Sequence, residues 1–278
     1  MWRDRRPLME ITVRALSSGS SGNAVLVRAG ETALLIDAGR PARTLARHLR
    51  DHGVRPGQLA GILITHEHSD HISGAAALAR LYGAPIIANK STLAAIDAPR
   101  EATIVLPTGE TRIVGSVAVS SFAVPHDARE PVGYALAYDG WRMCMATDVG
   151  YDCPDIEPHV AAADLVVLEA NHDTETLRSG PYPWSLKNRI LGNGGHLSND
   201  QTARLLERAF RRVPQRKRWL WLAHLSEENN TPRKAREQVG LRLDMAGAMR
   251  GLEIDVARRD EPSASWHSHA MAQQLALF

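Results

Sequence analysis

The chain has 278 residues, enough for a sizeable core in one large domain or two small ones. With 44% apolar and 23% charged residues of both signs it excludes long disorder, and a formal charge of +2 is too small to imply a nucleic-acid partner from totals alone. Cys144 and Cys153 are the only cysteines and form no C-x-x-C pair, which argues against a disulfide framework or a thiolate metal site.

Residues 1–7 are basic but lack the apolar stretch of a signal peptide, and no run of about 18 apolar residues occurs anywhere, so a cytoplasmic protein with no membrane span is expected. Strands are predicted over 24–28 and 33–36, then a helix over 41–52 with proline in its first turn. A short strand over 62–64 runs into the cluster Thr65-His66-Glu67-His68-Ser69-Asp70-His71, followed by a helix over 71–82 and a strand over 85–88. Residues 111–146 read as consecutive antiparallel strands, including 117–124, 133–138 and 143–146. Further strands are expected over 165–168 and 219–222, a helix from Ser198 or Asn199 to 210, another over 232–249, and a loop over 179–195. The interleaving predicts an α/β protein with mixed sheets: an extension over 1–10, one catalytic domain over 11–257 and a flexible tail over 258–278.

Four potential metal ligands, His66, His68, Asp70 and His71, lie within six residues directly after an apolar strand. Such density rarely arises without a metal, and a rigid strand end followed by a loop suits an open site. Three other strand ends carry a ligand-type residue: His126 after 117–124, Asp148 after 143–146 and His224 after 219–222. Taken singly, each could equally be a structural histidine or a helix-capping aspartate.

Together the H-x-H-x-D-H pattern, isolated His126, Thr147-Asp148-Val149-Gly150 and Ala223-His224-Leu225-Ser226 resemble the metallo-β-lactamase fold superfamily. Four segments, Ser17 to Asn23, Leu168 to Asp173, Gly195 to Asn199 and His224 to Asn230, are similar to its YycJ/WalJ branch of 5′-to-3′ exonucleases. The resemblance spans about residues 11 to 257 and implies an αββα sandwich of two mixed sheets flanked by helices. It also implies two divalent metal ions, Zn or Mn: His66, His68 and His126 would bind one, Asp70, His71 and His224 the other, and Asp148 would bridge them. Two such cations lower the pKa of a water and stabilise charge on a phosphate. By the same resemblance His196 binds phosphate or protonates the leaving group, Glu169 orients it, Asp37 supports the first histidines, and Asp70 belongs to the catalytic group. The turn carrying Ser18, Ser20 and Asn23, with Ser198, is expected to contact phosphate.

Residues 203–218 hold seven cations against Glu207, a candidate phosphate face whose alternative is a solvated helix end. The loop over 179–195 adds Tyr182, Trp184, Lys187 and Arg189, aromatic platforms mixed with cations. Only 48 positions separate Asp148 from His196, too few for the inserted domain of RNA-processing relatives. The sequence Gln274-Leu275-Ala276-Leu277-Phe278 resembles the peptide by which bacterial replication and repair proteins dock onto the DNA sliding clamp. The expectation is therefore a DNA exonuclease of repair or replication. The alternatives are an RNA exonuclease, a small cyclic-nucleotide phosphodiesterase, or a sliding-clamp adaptor with a structural metal site.

Overall fold

The computed structural model describes residues 10–268 except 212, 214 and 215. Its first sheet takes β1 (Ile11–Ser17), β2 (Ala24–Ala29), β3 (Thr32–Ile36), β4 (Leu59–Leu63), β5 (Ile86–Ala88) and β6 (Thr103–Val105), with α1 (Ala42–Asp51), α2 (Ser69–Ile72), α3 (Ala75–Tyr82) and α4 (Lys90–Leu93) in the connections. The second sheet takes β7 (Thr111–Val114), β8 (Val117–Ala123), β9 (Val132–Tyr138), β10 (Trp141–Ala146), β11 (Leu165–Glu169), β12 (Arg218–Ala223) and β13 (Leu252–Val256). Its connections hold α5 (Glu157–Ala162), α6 (Thr174–Ser179), α7 (Trp184–Leu191), α8 (Asn199–Arg211) and α9 (Pro232–Met245). A last strand, β14 (Ser265–His267), returns to the first sheet beside β1, so each sheet has seven strands among the described residues.

Side-chain alternation assigns the layers. Leu34 and Ile36 of β3 meet Met143 and Met145 of β10, Leu165 and Val167 of β11, and Trp219 and Trp221 of β12 between the sheets. The residues between them point outward: Leu35 packs with Leu45 and Leu49 of α1 and Leu78 of α3. Val166, Leu168, Leu220 and Leu222 likewise pack with Leu205 and Leu206 of α8 and Val239 of α9. Central strands buried on both faces read as unbroken apolar runs, which is why the sequence marks them clearly.

The sheets place the site by their direction. β3, β4, β5 and β6 are mutually parallel, as are β10 to β13, and β8 runs with β10 because both are antiparallel to β9. Parallel strands present their carboxyl ends together, and the loops beyond those ends form the crevice where α/β folds bind ligands.

Three expectations need correction. The helix predicted over 71–82 begins at Ser69 and is divided into α2 and α3, because Gly74 N donates to Ala38 O at 2.8 Å instead of continuing the helix. The loop predicted over 179–195 contains α7. The flexible tail does not begin at residue 258: β14 pairs with β1, Ile11 and Ser268 exchange hydrogen bonds, and Trp266 is 2% exposed between the sheets. Its ring lies 5.3 Å from Trp141 and 5.6 Å from Trp219. The clamp-like residues Gln274, Leu275, Leu277 and Phe278 lie outside the described residues. Among the described residues no helix is long and apolar enough to cross a membrane.

Candidate metal centre

Each of the seven expected ligands sits in a loop at a strand's carboxyl end or in the short helix that follows. β4 leads into His66, His68 and α2, which carries Asp70 and His71; β8, β10 and β12 lead into His126, Asp148 and His224. Their donor atoms form two neighbouring clusters, one of His66, His68 and His126 and one of Asp70, His71, Asp148 and His224, with the atoms of each cluster within 4.8 Å of one another; Asp148 and His224 also group with Glu169 and His196. Asp148 faces both: Oδ2 is 3.1 Å from His71 Nε2 and Oδ1 is 3.8 Å from His126 Nε2. His68 Nδ1 lies 3.3 Å from His126 Nε2.

The opposite nitrogen of three of these rings is held, which fixes the tautomer and aims Nε2 inward. His71 Nδ1 donates to Asp37 Oδ2 at 2.8 Å, His126 Nδ1 to Gly195 O at 3.0 Å and His224 Nδ1 to Glu169 Oε1 at 2.7 Å. Asp37 Oδ1 also accepts from Thr65 N and Oγ1 at 2.9 and 3.0 Å. Glu169, with no exposed surface, accepts from His196 Nδ1 at 2.9 Å through the same Oε1 and from Val149 N and Leu197 N at 2.9 and 3.0 Å through Oε2.

Backbone conformation adds to the picture. Asp37, Asp148 and His224, each the first or second residue past its strand, have φ of 60°, 57° and 54°. Non-glycine residues rarely adopt this left-handed region, at a cost of about 1–3 kcal/mol each, and such strain concentrates at functional sites. The close packing of the two loops depends on Gly39, whose place a Cβ would fill only by approaching Asp70 O to 1.6 Å.

The electrostatics suit a cation. Burial, then the neighbouring His71, pushes His66 well below the usual imidazole range, and burial lowers His126, so both are neutral and offer lone pairs. Burial opposes charge on His71 and His224, yet Asp37 and Asp148 hold His71 well above its ordinary value, and Asp148, Asp70 and Glu169 raise His224 to about 10. Asp148 and Asp70 are both held well below the usual carboxylate range: burial opposes this, but His224 and His71 beside each carboxylate prevail. Against burial, His196 and His224 bring Glu169 down to about 2. Among the described residues His66 Nε2 is buried with no hydrogen-bond partner and His224 Nε2 meets only Asp70 Oδ2 at 3.5 Å, as expected of ring nitrogens that a cation would engage. Imidazole and carboxylate donors fit a divalent metal ion, and His66, His68, His126, Asp70, His71, Asp148 and His224 are the residues that would hold it.

A family model for the β-lactamase superfamily domain matches residues 32–217. The chain is 36% identical over 244 residues to the exodeoxyribonuclease YycJ of Bacillus anthracis, covering 86% of this chain and 91% of that protein. It is 38% identical over 248 residues to the exodeoxyribonuclease WalJ of Streptococcus pneumoniae, covering 87% and 91%. The chain belongs to the metallo-β-lactamase superfamily, in the YycJ/WalJ family. Solved structures agree on the fold. The metallo-β-lactamase fold protein YhfI of Bacillus subtilis superposes with a TM-score of 0.70 at 16% identity, covering 93% of this chain and 99% of that one. Zinc-bound PqqB of Methylobacterium extorquens gives 0.65 at 17% identity, covering 93% and 99%. The chain is thus a metallohydrolase with a divalent-metal site.

Membership leaves the surrounding residues to be read from geometry. His196 is brought to the centre, its Nδ1 2.9 Å from Glu169 Oε1 and 3.6 Å from Asp148 Oδ1, and no protein atom among the described residues partners its Nε2. Glu169 orients His224 as well as His196, a double role that its place in the sequence does not reveal.

The expected phosphate cradle is engaged elsewhere. Ser18 Oγ accepts from His224 N at 2.8 Å, and Asn23 Oδ1 accepts from Gly19 N at 2.9 Å while its Nδ2 lies 3.0 Å from His71 Nε2. Ser198 caps α8, exchanging hydrogen bonds with Gln201. Ser18, Asn23 and Ser198 therefore brace the centre, and of the four only Ser20 is exposed.

Arg212 lies outside the described residues, and among the described ones the cationic run over 203–218 is also not a free phosphate face. Arg208 pairs with Glu157 and Asp152, Arg204 with Asp152 and Asp200, Arg211 with Glu207, Arg216 with Asp164 and Lys217 with Glu253. Lys187 is 5% exposed and donates to Arg178 O and Gly180 O, so it staples the start of α7 rather than facing solvent. Two site residues escaped the sequence reading: Thr65, whose hydroxyl joins Asp37 to the ring nitrogens of His66 and His71, and Asp127, whose Oδ1 is 3.3 Å from His126 Nε2. The only signal for either is adjacency to a ligand histidine.

Proposed function

We propose that the chain is a dinuclear, metal-dependent phosphodiesterase acting as a 5′-to-3′ DNA exonuclease in repair or replication, with Zn or Mn as its cation. The observation that carries this reading is the Asp148 carboxylate lying between two donor clusters, one oxygen 3.1 Å from His71 Nε2 and the other 3.8 Å from His126 Nε2, with three of the inward ring nitrogens aimed by Asp37, Gly195 O and Glu169. Kinship with YycJ and WalJ, both named exodeoxyribonucleases, supplies the substrate class.

When bound, two divalent cations supply Lewis acidity toward a phosphate oxygen and lower the pKa of water. Within the proposal, His66, His68 and His126 hold one position and Asp70, His71 and His224 the other. His196 stands beside the centre with its Nδ1 fixed by Glu169. Although burial opposes it, Glu169 and Asp148 raise His196 above its ordinary value, so near neutral pH Nε2 carries a proton that it can share with a phosphate oxygen or give to the departing oxygen. Glu169, which has no exposed surface, acts by positioning His196 and His224.

Purified protein with Mn²⁺ or Zn²⁺ should degrade DNA labelled at its 5′ end, releasing label from the first turnover, while Asp148→Ala should not. Full activity in that variant would exclude the mechanism, and faster turnover of RNA or cyclic nucleotides under the same conditions would reassign the substrate. The peptide over 274–278 is proposed to dock on a sliding clamp; its deletion should abolish clamp pull-down and leave hydrolysis of free DNA intact.

A further inference from the structure

Two guanidinium groups stand apart from the other cations around the centre. Arg189, on α7, donates Nε to Asp127 Oδ2 at 2.7 Å, and the other oxygen of that carboxylate is 3.3 Å from His126 Nε2. Arg129 lies in the loop after His126; its backbone N donates to Glu67 Oε1 at 2.8 Å and its Nε is 4.0 Å from the same oxygen. Each anchor is the chain neighbour of a metal-donor histidine: Asp127 follows His126, and Glu67 lies between His66 and His68. Both arginines therefore flank the three-histidine cluster from separate elements.

Both side chains are also open, 58% exposed for Arg189 and 60% for Arg129; Asp127 bonds Arg189 through Nε alone, while Glu67 bonds the Arg129 backbone and meets its guanidinium only as a 4.0 Å ion pair at Nε, so the terminal nitrogens of both have no protein partner among the described residues. This differs from the arginines of α8, whose acids are not joined to the centre. A guanidinium held through Nε presents the paired terminal N–H groups that match phosphate oxygens bidentately. The scissile phosphate belongs to the donor clusters, so cations on the rim face its neighbours along a polyanionic strand.

We infer that Arg189 and Arg129 form a phosphate clamp for a single DNA strand at the edge of the His66, His68 and His126 cluster, with Asp127 and Glu67 as the positioning residues. The clamp deepens, and rests on, the nucleic-acid reading given above. It binds by charge and fork geometry, not by base identity, so its contribution is independent of sequence and sensitive to salt.

The test is binding of a fluorescent, phosphorothioate single-stranded DNA by the Mn²⁺-loaded protein, followed by anisotropy over a series of salt concentrations. Arg189→Ala and Arg129→Ala should each weaken binding roughly tenfold and reduce the slope of log affinity against log salt by about 0.7. Arg→Lys should restore the slope but only part of the affinity, because the charge returns without the fork. Asp127→Asn should weaken binding with the slope unchanged. Arg211→Ala and Arg233→Ala, which remove equal charge from exposed positions elsewhere, serve as controls. Slopes and affinities of the Arg189 and Arg129 variants indistinguishable from these controls would overturn the clamp. A protein that shows the expected slopes but fails to degrade ordinary DNA would keep the clamp and overturn the exonuclease reading. One that degrades DNA with the control slopes would do the reverse, and a wild-type protein that neither binds nor degrades DNA removes both.

Discussion

At Glu169 one carboxylate accepts from four N–H groups, those of His196, His224, Val149 and Leu197, in a pocket without exposed surface. A glutamine keeps the shape but must point its own N–H₂ at two of those donors, whichever way it turns, and leaves them unsatisfied. Glu169→Gln should therefore lower metal affinity by about 10- to 100-fold and shift the pH dependence of turnover, read by metal titration of the folded protein. An unchanged titration would deny the carboxylate its orienting role. His172 is 1% exposed, both its ring nitrogens lack a hydrogen-bond partner among the described residues, and burial pushes it down to about 4. The unfolded chain binds this proton below about pH 6.5 whereas the folded chain does so only near 4, so the stability it contributes is complete above pH 6.5 and lost as pH falls toward 4. Between pH 7 and pH 5 the metal-free wild type should lose roughly 2 kcal/mol more in urea unfolding than His172→Leu does. Equal losses would show that another group sets the acid limit. The donor histidines were legible because they crowd into one short run and recur at strand ends. Their aiming partners were not: Gly195 contributes a backbone oxygen, and Thr65 and Asp127 become site residues only through tertiary proximity.

At the scale of elements, strands buried on both faces announce themselves as apolar runs, and β2, β3, β10, β11 and β12 were readable for that reason. Short strands at sheet edges carry no such run. β14 has three residues and only its central side chain, Trp266, points into the core, so a polar, serine-rich neighbourhood masked it as a tail. α7 was masked likewise, by a proline and an exposed tryptophan at its start. Trp266→Ala should cost about 3–5 kcal/mol in chemical unfolding, the usual loss for a large buried aromatic. A loss under about 0.5 kcal/mol would return the segment to the status of a free tail. Gly39→Ala tests the junction between the β3 loop and α2: a Cβ there meets a carbonyl oxygen, so backbone has to move and Asp70 with it. That variant should be destabilised by about 3 kcal/mol or more and should bind metal more weakly, whereas normal stability with normal affinity would show that the junction yields.

The whole molecule brings donors from two sheets to one crevice. β3 and β4 supply Asp37, His66, His68, Asp70 and His71 from the first sheet, while β8, β10, β11 and β12 supply His126, Asp148, Glu169 and His224 from the second. The carboxylates of Asp37, Asp70, Asp148 and Glu169 meet there, and in the metal-free protein they raise His71, His196 and His224 above the ordinary imidazole value, so protons on these rings offset part of the negative charge. A divalent cation at these donors must displace the protons on His71 and His224, so its binding releases protons and its apparent affinity rises with pH. It also clips one sheet to the other, and because the unfolded chain scatters these donors, binding adds to the stability of the fold. At a metal concentration of 100 times the dissociation constant the gain is about 2.7 kcal/mol, worth roughly 5–10 °C in melting temperature for a chain of this size. Chelation should therefore lower the melting temperature of the wild type by that amount, and calorimetric titration in buffers of different ionisation enthalpy should count the protons released. Asp148→Ala, lacking the carboxylate that lies between the two clusters, should melt at the same temperature with and without added Mn²⁺ or Zn²⁺. A wild-type melting temperature indifferent to the metal, with no proton release, would mean that these donors close on one another as a hydrogen-bonded network and need no cation to join the sheets.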